Sequence, residues 1–175
     1  AAYKAEKSPA VLVEEALDHP INSPSLESLV EGKRNMVIIT SDHTRPMPSK
    51  VTLPILLRRI RTVNPTIDIT ILIATGFHRA MTHEEMVHRF GEDIVNNEKL
   101  INHDSEDAAN MVEIGTLPSG GKCVINRLAV ETELLISEGL INPHFFAGFS
   151  GGRKSVLPGV ASKVTVLANH CAEFI

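Results

Sequence analysis

Several classes of protein are excluded by what these 175 residues lack. Only two cysteines occur, Cys123 and Cys171, far apart and in no CxxC or zinc-ligand spacing. A disulfide framework is thereby excluded, and a reduced, cytoplasmic protein is the expectation. No apolar run approaches the ~20 residues that cross a bilayer, and no secretory leader pattern is present. Positive charge is not in excess: the formal net charge is -4, so no broad basic surface recommends nucleic acid as a partner. There is no HExxH or comparable metal-ligand spacing of the kind a zinc hydrolase needs. Internal repeats, low-complexity tracts and long linkers are missing too.

What is present is enough apolar material, 43% of residues, for one sizeable core. "SPAVLVEEALDHP" reads as a short helix with Ser8 as N-cap, Pro9 at its first position and Pro20 beyond its end. "MVIIT" and "IDITILIA" are continuous branched apolar runs, the pattern of strands buried on both faces. Between them, "SKVTLPILLRRIRTV" has helical spacing with Ser49 as cap, and Pro54 either kinks that helix or delays its start. Thr82 and Glu85 form a capping-box pair opening "HEEMVHRF", which Gly91 stops. Residues 92–110 give no clear pattern. "MVEIGTLPSGGKCVI" predicts two strands around a Gly120-Gly121 turn, which would make the sheet partly antiparallel. "ETELLIS" is a further strand, and "ASKVTVLANHCAEFI" a closing helix. The alternation predicts one α/β domain, Rossmann-like, with a mostly parallel sheet, helices on both faces and a small antiparallel extension. The chain opens without methionine and stops inside that closing helix, so a domain of a longer protein is expected.

Ligands of open α/β sheets bind beyond the carboxyl ends of the strands. Three predicted strand exits carry unusual polar clusters: Asp42, His43, Thr44 and Arg45; then Gly76, Phe77 and His78; then His144 and a glycine-rich stretch with Arg153 and Lys154. Each has a plainer reading. Asp42 and Thr44 can shape an Asx turn or cap a helix, and a single histidine is more often solvated or capping than catalytic. Arg45 in a loop over a strand end is better placed to fork onto a carboxylate or phosphate. His83 and His88 are five apart on a surface helix, off a common face; His19 and His103 read as solvated; His170 reads as a partly buried helix residue. "GFSGGRKS" nearly reproduces GxxxxGK[ST], but Arg153 stands where that phosphate loop requires glycine. Its consecutive glycines still let backbone N–H groups approach an anion. Phe145, Phe146 and Phe149, so close together, are expected out of water.

"SDHTRPMPSK", "TGFHR", "NPHFFAGFSGGRKSVLPG" and "ANH", in that order, resemble the nickel-dependent lactate racemase family across nearly the whole chain, as its N-terminal cofactor-binding and catalytic domain. The resemblance implies a nickel-pincer nucleotide, Ni(II)-pyridinium-3,5-bisthiocarboxylate mononucleotide, covalently attached at Lys154. It implies His170 as the protein's metal ligand, with three pincer donors and one imidazole making a square-planar site suited to Ni(II). Asp42, His43, Thr44 and Arg45 correspond to the cofactor-contacting loop, Arg45 also lying close to substrate, and His78 and His144 to the paired acid/base groups. The implied partners are a small 2-hydroxy acid, the chain's own C-terminal domain and the proteins that make the cofactor, with neither nucleic acid nor membrane.

The implied reaction inverts the chiral carbon of a 2-hydroxy acid such as lactate. Its C–H is a very weak acid, because the neighbouring carboxylate already carries charge and resists an enolate. Removal as hydride is easier, provided a base takes the hydroxyl proton as the C–O double bond forms. A racemase then needs one reversible hydride acceptor and one proton acceptor for each enantiomer. Read without the resemblance, the same glycine-rich loop also suits a non-catalytic nucleotide- or phosphate-binding α/β module.

Overall fold

A computed structural model describes residues 6–172 of the chain. Its elements run α1 (Pro9–Asp18), α2 (Leu26–Val30), β1 (Asn35–Ser41), α3 (Ser49–Val63), β2 (Asp68–Ala74), α4 (His83–Phe90), α5 (Glu92–Asn97), β3 (Lys99–Asn102), β4 (Met111–Thr116), β5 (Lys122–Asn126), α6 (Arg127–Glu131), β6 (Leu135–Ser137), β7 (Pro143–His144), β8 (Gly148–Phe149) and α7 (Lys163–Asn169). The central sheet has the order β3-β2-β1-β6 and is parallel throughout. The chain therefore lays β1, β2 and β3 outward in one direction and returns to place β6 on the other side of β1. The switch point lies between β1 and β6, and a crevice opens there above the strand ends.

Alternation along β1 divides the core between the two sheet faces. Met36 and Ile38, with Ile69, Ile71 and Ile73 of β2, pack under Val30, Leu53, Leu57, Ile60 and Phe90 of the helical layer. Val37, Ile39 and Leu72 face Ile125, Ala129, Val160, Ala161 and Val166 on the opposite side. Side chains of a strand point alternately up and down, so a run apolar at every position requires a cover on both faces. Helices α2 to α5 supply one cover. The β4–β5 hairpin, α6, residues 156–161 and α7 supply the other.

Local signals place several boundaries as read. The Ser8 hydroxyl accepts from the Val11 N–H, and Pro9 opens α1. Thr82 and Glu85 form the reciprocal capping box of α4, and Gly91 ends it with φ +93°. Elsewhere packing overrides the local reading. Ser49 does not cap α3: it is the first helical residue, and its buried hydroxyl donates to Glu138 at 2.5 Å. Helix α3 starts there and runs through Pro54, so its start is not delayed. The β4–β5 hairpin is antiparallel, yet it forms a sheet of its own instead of extending the central one, because Ile125 is needed over the second core face. In "ETELLIS" only Leu135–Ser137 is strand, since Glu131 ends the unanticipated α6. Residues 92–110 hold α5 and the edge strand β3. The closing helix is shorter than read: Ser162 caps it, it ends at Asn169 with His170 as C-cap, and residues 173–175 lie outside the described residues.

Two further expectations fail in the packed chain. His103 is 2% exposed, not solvated; its Nε2–H donates to the Ala161 carbonyl at 3.0 Å and its Nδ1 accepts from Asn126 Nδ2 at 3.1 Å. Phe145 and Phe149 are not withdrawn from water but stand 92% and 63% exposed. Their hairpin, β7–β8, lies outside both cores.

Candidate active site

Helix-free strand exits bring the site together. Asp42 follows β1 and is only 2% exposed. Its Oδ1 accepts from the Thr44 N–H at 3.0 Å and the Thr44 hydroxyl at 2.6 Å, an Asx-type turn. The plain reading of this pair is thus correct, but it leaves Oδ2 free. That oxygen lies 2.6 Å from His78 Nδ1. A carboxylate only accepts, so His78 carries its proton on Nδ1 and keeps Nε2 as the available base.

His78 is delivered by the exit of β2. Gly76 adopts φ +56°, and its N–H donates to the Gly159 carbonyl at 3.0 Å. Gly159 in turn has no room for a side chain, since a Cβ would sit 2.2 Å from the Ser155 carbonyl oxygen. These two glycines let the β2 exit lie against the segment that carries Lys154. A short 3-10 helix, Gly152–Ser155, presents Lys154, and no long helix follows it directly among the described residues.

Glu138, one residue past β6, went unread in the sequence, where it is a lone acid in "ISEGL". It is 7% exposed, and its carboxylate accepts from the hydroxyls of Thr40, Ser49 and Thr52. The third exit is thereby tied to β1 and to the first turn of α3.

The exits enclose a cavity of about 240 Å³ lined by Asp42, Thr44, Arg45, His78, Lys154 and His170, with Gly76, Phe77, Ser150 and Gly159 among its other walls. His144 is not in that lining. It sits in β7, its ring edge-on to Phe146 with centroids 4.5 Å apart, and Phe146 meets the His170 ring at 5.6 Å. Lys154 Nζ lies 5.5 Å from the Phe146 ring centroid, so one aromatic ring joins His144, His170 and Lys154. His43 turns away: it lines a neighbouring hollow with Lys50, Glu84 and His88, and its Nδ1 stands 4.0 Å from Asp42 Oδ2. His19, His83 and His88 are exposed.

Electrostatically the pocket is cationic on one side. Desolvation and then the Arg45 charge lower the Lys154 pKa, which eases access to its neutral, nucleophilic amine. The His144 pKa is lowered by desolvation first, then by Lys154, Arg45 and His170. No group of three or more His, Cys, Asp or Glu able to hold a metal occurs among the described residues. What the chain does offer at this cavity is His170, whose Nδ1 is buried without a hydrogen-bond partner among the described residues, as is His43 Nδ1 in the neighbouring hollow. One orphan imidazole beside a partly buried amine fits a metal whose other donors arrive on an organic cofactor.

Fold and site together define a doubly wound α/β domain with acid–base and cationic groups gathered at its switch point. The family described as lactate racemase N-terminal domain matches residues 1–175, and the chain belongs to that family. It is 61% identical over 175 residues to the lactate racemase of Lactiplantibacillus plantarum, and 60% identical over 174 residues to that of Thermoanaerobacterium thermosaccharolyticum. These alignments cover 100% and 99% of this chain but 41% of each relative, so the chain spans about two fifths of the relatives' length. The structure of the lactate racemase apoprotein from T. thermosaccharolyticum superimposes with TM-score 0.92 at 61% identity, over 94% of this chain and 40% of that one. A protein from Thermotoga maritima shares the fold at TM-score 0.75 and 24% identity, over 97% of this chain and 42% of its own.

Proposed function

We propose that this chain is the N-terminal, cofactor-binding and catalytic part of a two-domain 2-hydroxy-acid racemase, with lactate the nearest substrate. The observation that carries the reading is the gathering of Asp42-paired His78, Arg45, Lys154 and the orphaned His170 around one cavity. Relatives at 60% identity are named as lactate racemases, and the alternative of a non-catalytic phosphate-binding module is not favoured. In this reading Lys154 tethers the nickel-pincer nucleotide through its amine, His170 supplies the protein's metal donor, and Asp42, Thr44 and Arg45 contact the cofactor, whereas His43, facing the neighbouring hollow, does not. When bound, that group supplies a reversible hydride acceptor, chemistry no side chain provides.

The chain's own residues do the rest. Arg45 receives the substrate carboxylate through its planar fork of donors. His78, held by Asp42 in the Nδ1–H tautomer, takes the hydroxyl proton of one enantiomer on Nε2, and His144 serves the other. Desolvation first, and then the Arg45 charge that remains once Lys154 and His170 are engaged, lower the His144 pKa and favour the neutral imidazole a base requires. A full inversion uses both histidines, one accepting a proton and the other returning one.

The exposed Phe77, Ile141, Phe145 and Phe149 near this site support a cover supplied by the remainder of the longer protein. A cytoplasmic setting belongs to the same proposal, supported by free thiols at Cys123 and Cys171. No helix among the described residues is long and apolar enough to cross a membrane. The test uses the full-length protein produced with the cofactor-making proteins. D- and L-lactate are each expected to racemise, and intact mass should show a cofactor-sized adduct that Lys154→Ala abolishes. An unchanged adduct in that variant rejects the tether, and absence of racemisation by the loaded protein rejects the activity.

A further inference from the structure

Arg89 lies in the last turn of α4, a place where an arginine ordinarily rests against the helix carbonyls or reaches into solvent. Here it does neither. Its Nη1 donates to the Met47 carbonyl at 2.9 Å and its Nη2 to the Asp42 carbonyl at 3.1 Å. It forms no ion pair among the described residues. One guanidinium thus joins the two ends of the loop that leaves β1. Between them lie Thr44 and Arg45. The Asp42 carbonyl also accepts from the Arg45 N–H at 3.4 Å, so the same acceptor anchors the turn bearing Arg45.

The other end of α4 matters equally. His78 precedes that helix by five residues, and the intervening segment is fastened to its first turn: Arg79 pairs with Glu85, and Thr82 and Glu85 close the capping box. His78 therefore rides on the start of α4, and Asp42 is fixed to its end. We infer that Arg89 is a positioning residue: by clamping both ends of the 42–47 loop to α4, it mounts Asp42, Arg45 and His78 on one rigid element and fixes the distance between the histidine and its carboxylate. A planar fork meets two carbonyls at a set spacing; a lysine ammonium is a point charge that cannot impose that spacing.

This role rests on the assignment of Arg45 and His78 to substrate, and the experiment separates the two claims. In the full-length protein made without the cofactor pathway, imidazole 15N shifts report whether His78 carries its proton on Nδ1. In the loaded protein, kcat and KM are read for both enantiomers. Arg89→Met is expected to move His78 away from the Nδ1–H tautomer, to raise KM and lower kcat, and to cut kcat/KM on the order of 10²-fold, the scale of an ångström's misplacement. Arg89→Lys, retaining one donor contact, should fall between this variant and the wild type. A wild-type tautomer in Arg89→Met overturns the clamp, whatever the activity. If that variant does not fold, Arg89→Lys decides: a wild-type tautomer and wild-type kcat/KM overturn the clamp, and reductions in both support it. An Arg89-dependent tautomer in a protein that racemises nothing upholds the clamp and rejects the proposed activity.

Discussion

Asp42→Asn changes one atom and should reverse the chemistry of His78. Asp42 Oδ1 accepts two hydrogen bonds from Thr44, and Oδ2 accepts one from His78. An asparagine has one acceptor end and one donor end. Turning its NH2 toward Thr44 would set it against the backbone N–H now at 3.0 Å. Two donors facing in a site 2% exposed would strand a buried polar group, at about 1–3 kcal/mol. The amide oxygen therefore stays with Thr44, and the NH2 points at His78 Nδ1. That nitrogen must then accept, so the imidazole proton moves to Nε2. A preference of about 1–3 kcal/mol for the inverted tautomer leaves a minority of molecules with Nε2 free. That population shift predicts a rate lowered about 5–150-fold, compared with about 10²–10⁴-fold for complete loss of a general base. Overall stability should move by about 1 kcal/mol or less, since shape and two hydrogen bonds are kept. Chiral separation of lactate after incubation from each enantiomer measures the rate in the full-length, loaded protein, and imidazole 15N shifts measure the tautomer. If the shifts confirm the inversion and racemisation continues at the wild-type rate in both directions, His78 Nε2 is not the base.

Two other groups give predictions that do not depend on catalysis. Glu138→Ala strands hydroxyls of Thr40, Ser49 and Thr52 that now share one buried carboxylate; urea denaturation is expected to show a loss of about 3 kcal/mol, with Glu138→Gln milder, and a loss near zero would remove Glu138 as the anchor of the β6 exit. Burial lowers the His103 pKa from its ordinary 6.5. The unfolded chain therefore binds the proton more readily, and this contribution to stability is complete above about pH 6.5 and declines as pH falls from there toward the depressed folded value. Urea midpoints between pH 8 and 5 should fall more steeply for wild type than for His103→Asn, whatever the variant's absolute stability; equal slopes refute the assignment.

Legibility from sequence followed the range of the forces involved. The buried strands β1 and β2, the Ser8 cap, the capping box of α4 and the Gly91 stop depend on neighbours within a few residues, and each was readable. Ser49 was misread because its best partner, Glu138, lies far along the chain. The β4–β5 turn was visible, but whether the hairpin joined the sheet or covered it depended on which face lacked a lid. The exposed phenylalanines of β7–β8 were misjudged because burial is a property of the whole fold.

The candidate site divides along the same line. The sequence by itself determined which residues are available: the Asx turn at Asp42 and Thr44, the cations Arg45 and Lys154, the imidazoles 78, 144 and 170, and the glycines that permit close backbone approach. The tertiary structure alone decided that His78 Nδ1 meets Asp42, that His43 turns to a different hollow, that His170 Nδ1 has no partner among the described residues, and that Arg89 spans the loop. The cause is strand order: β2 beside β1 brings the exits bearing Asp42 and His78 together, and β6 on the other side of β1 adds the third exit. Strand order is set by how two apolar faces are covered at once, a requirement of the folded chain that no local window of residues can express.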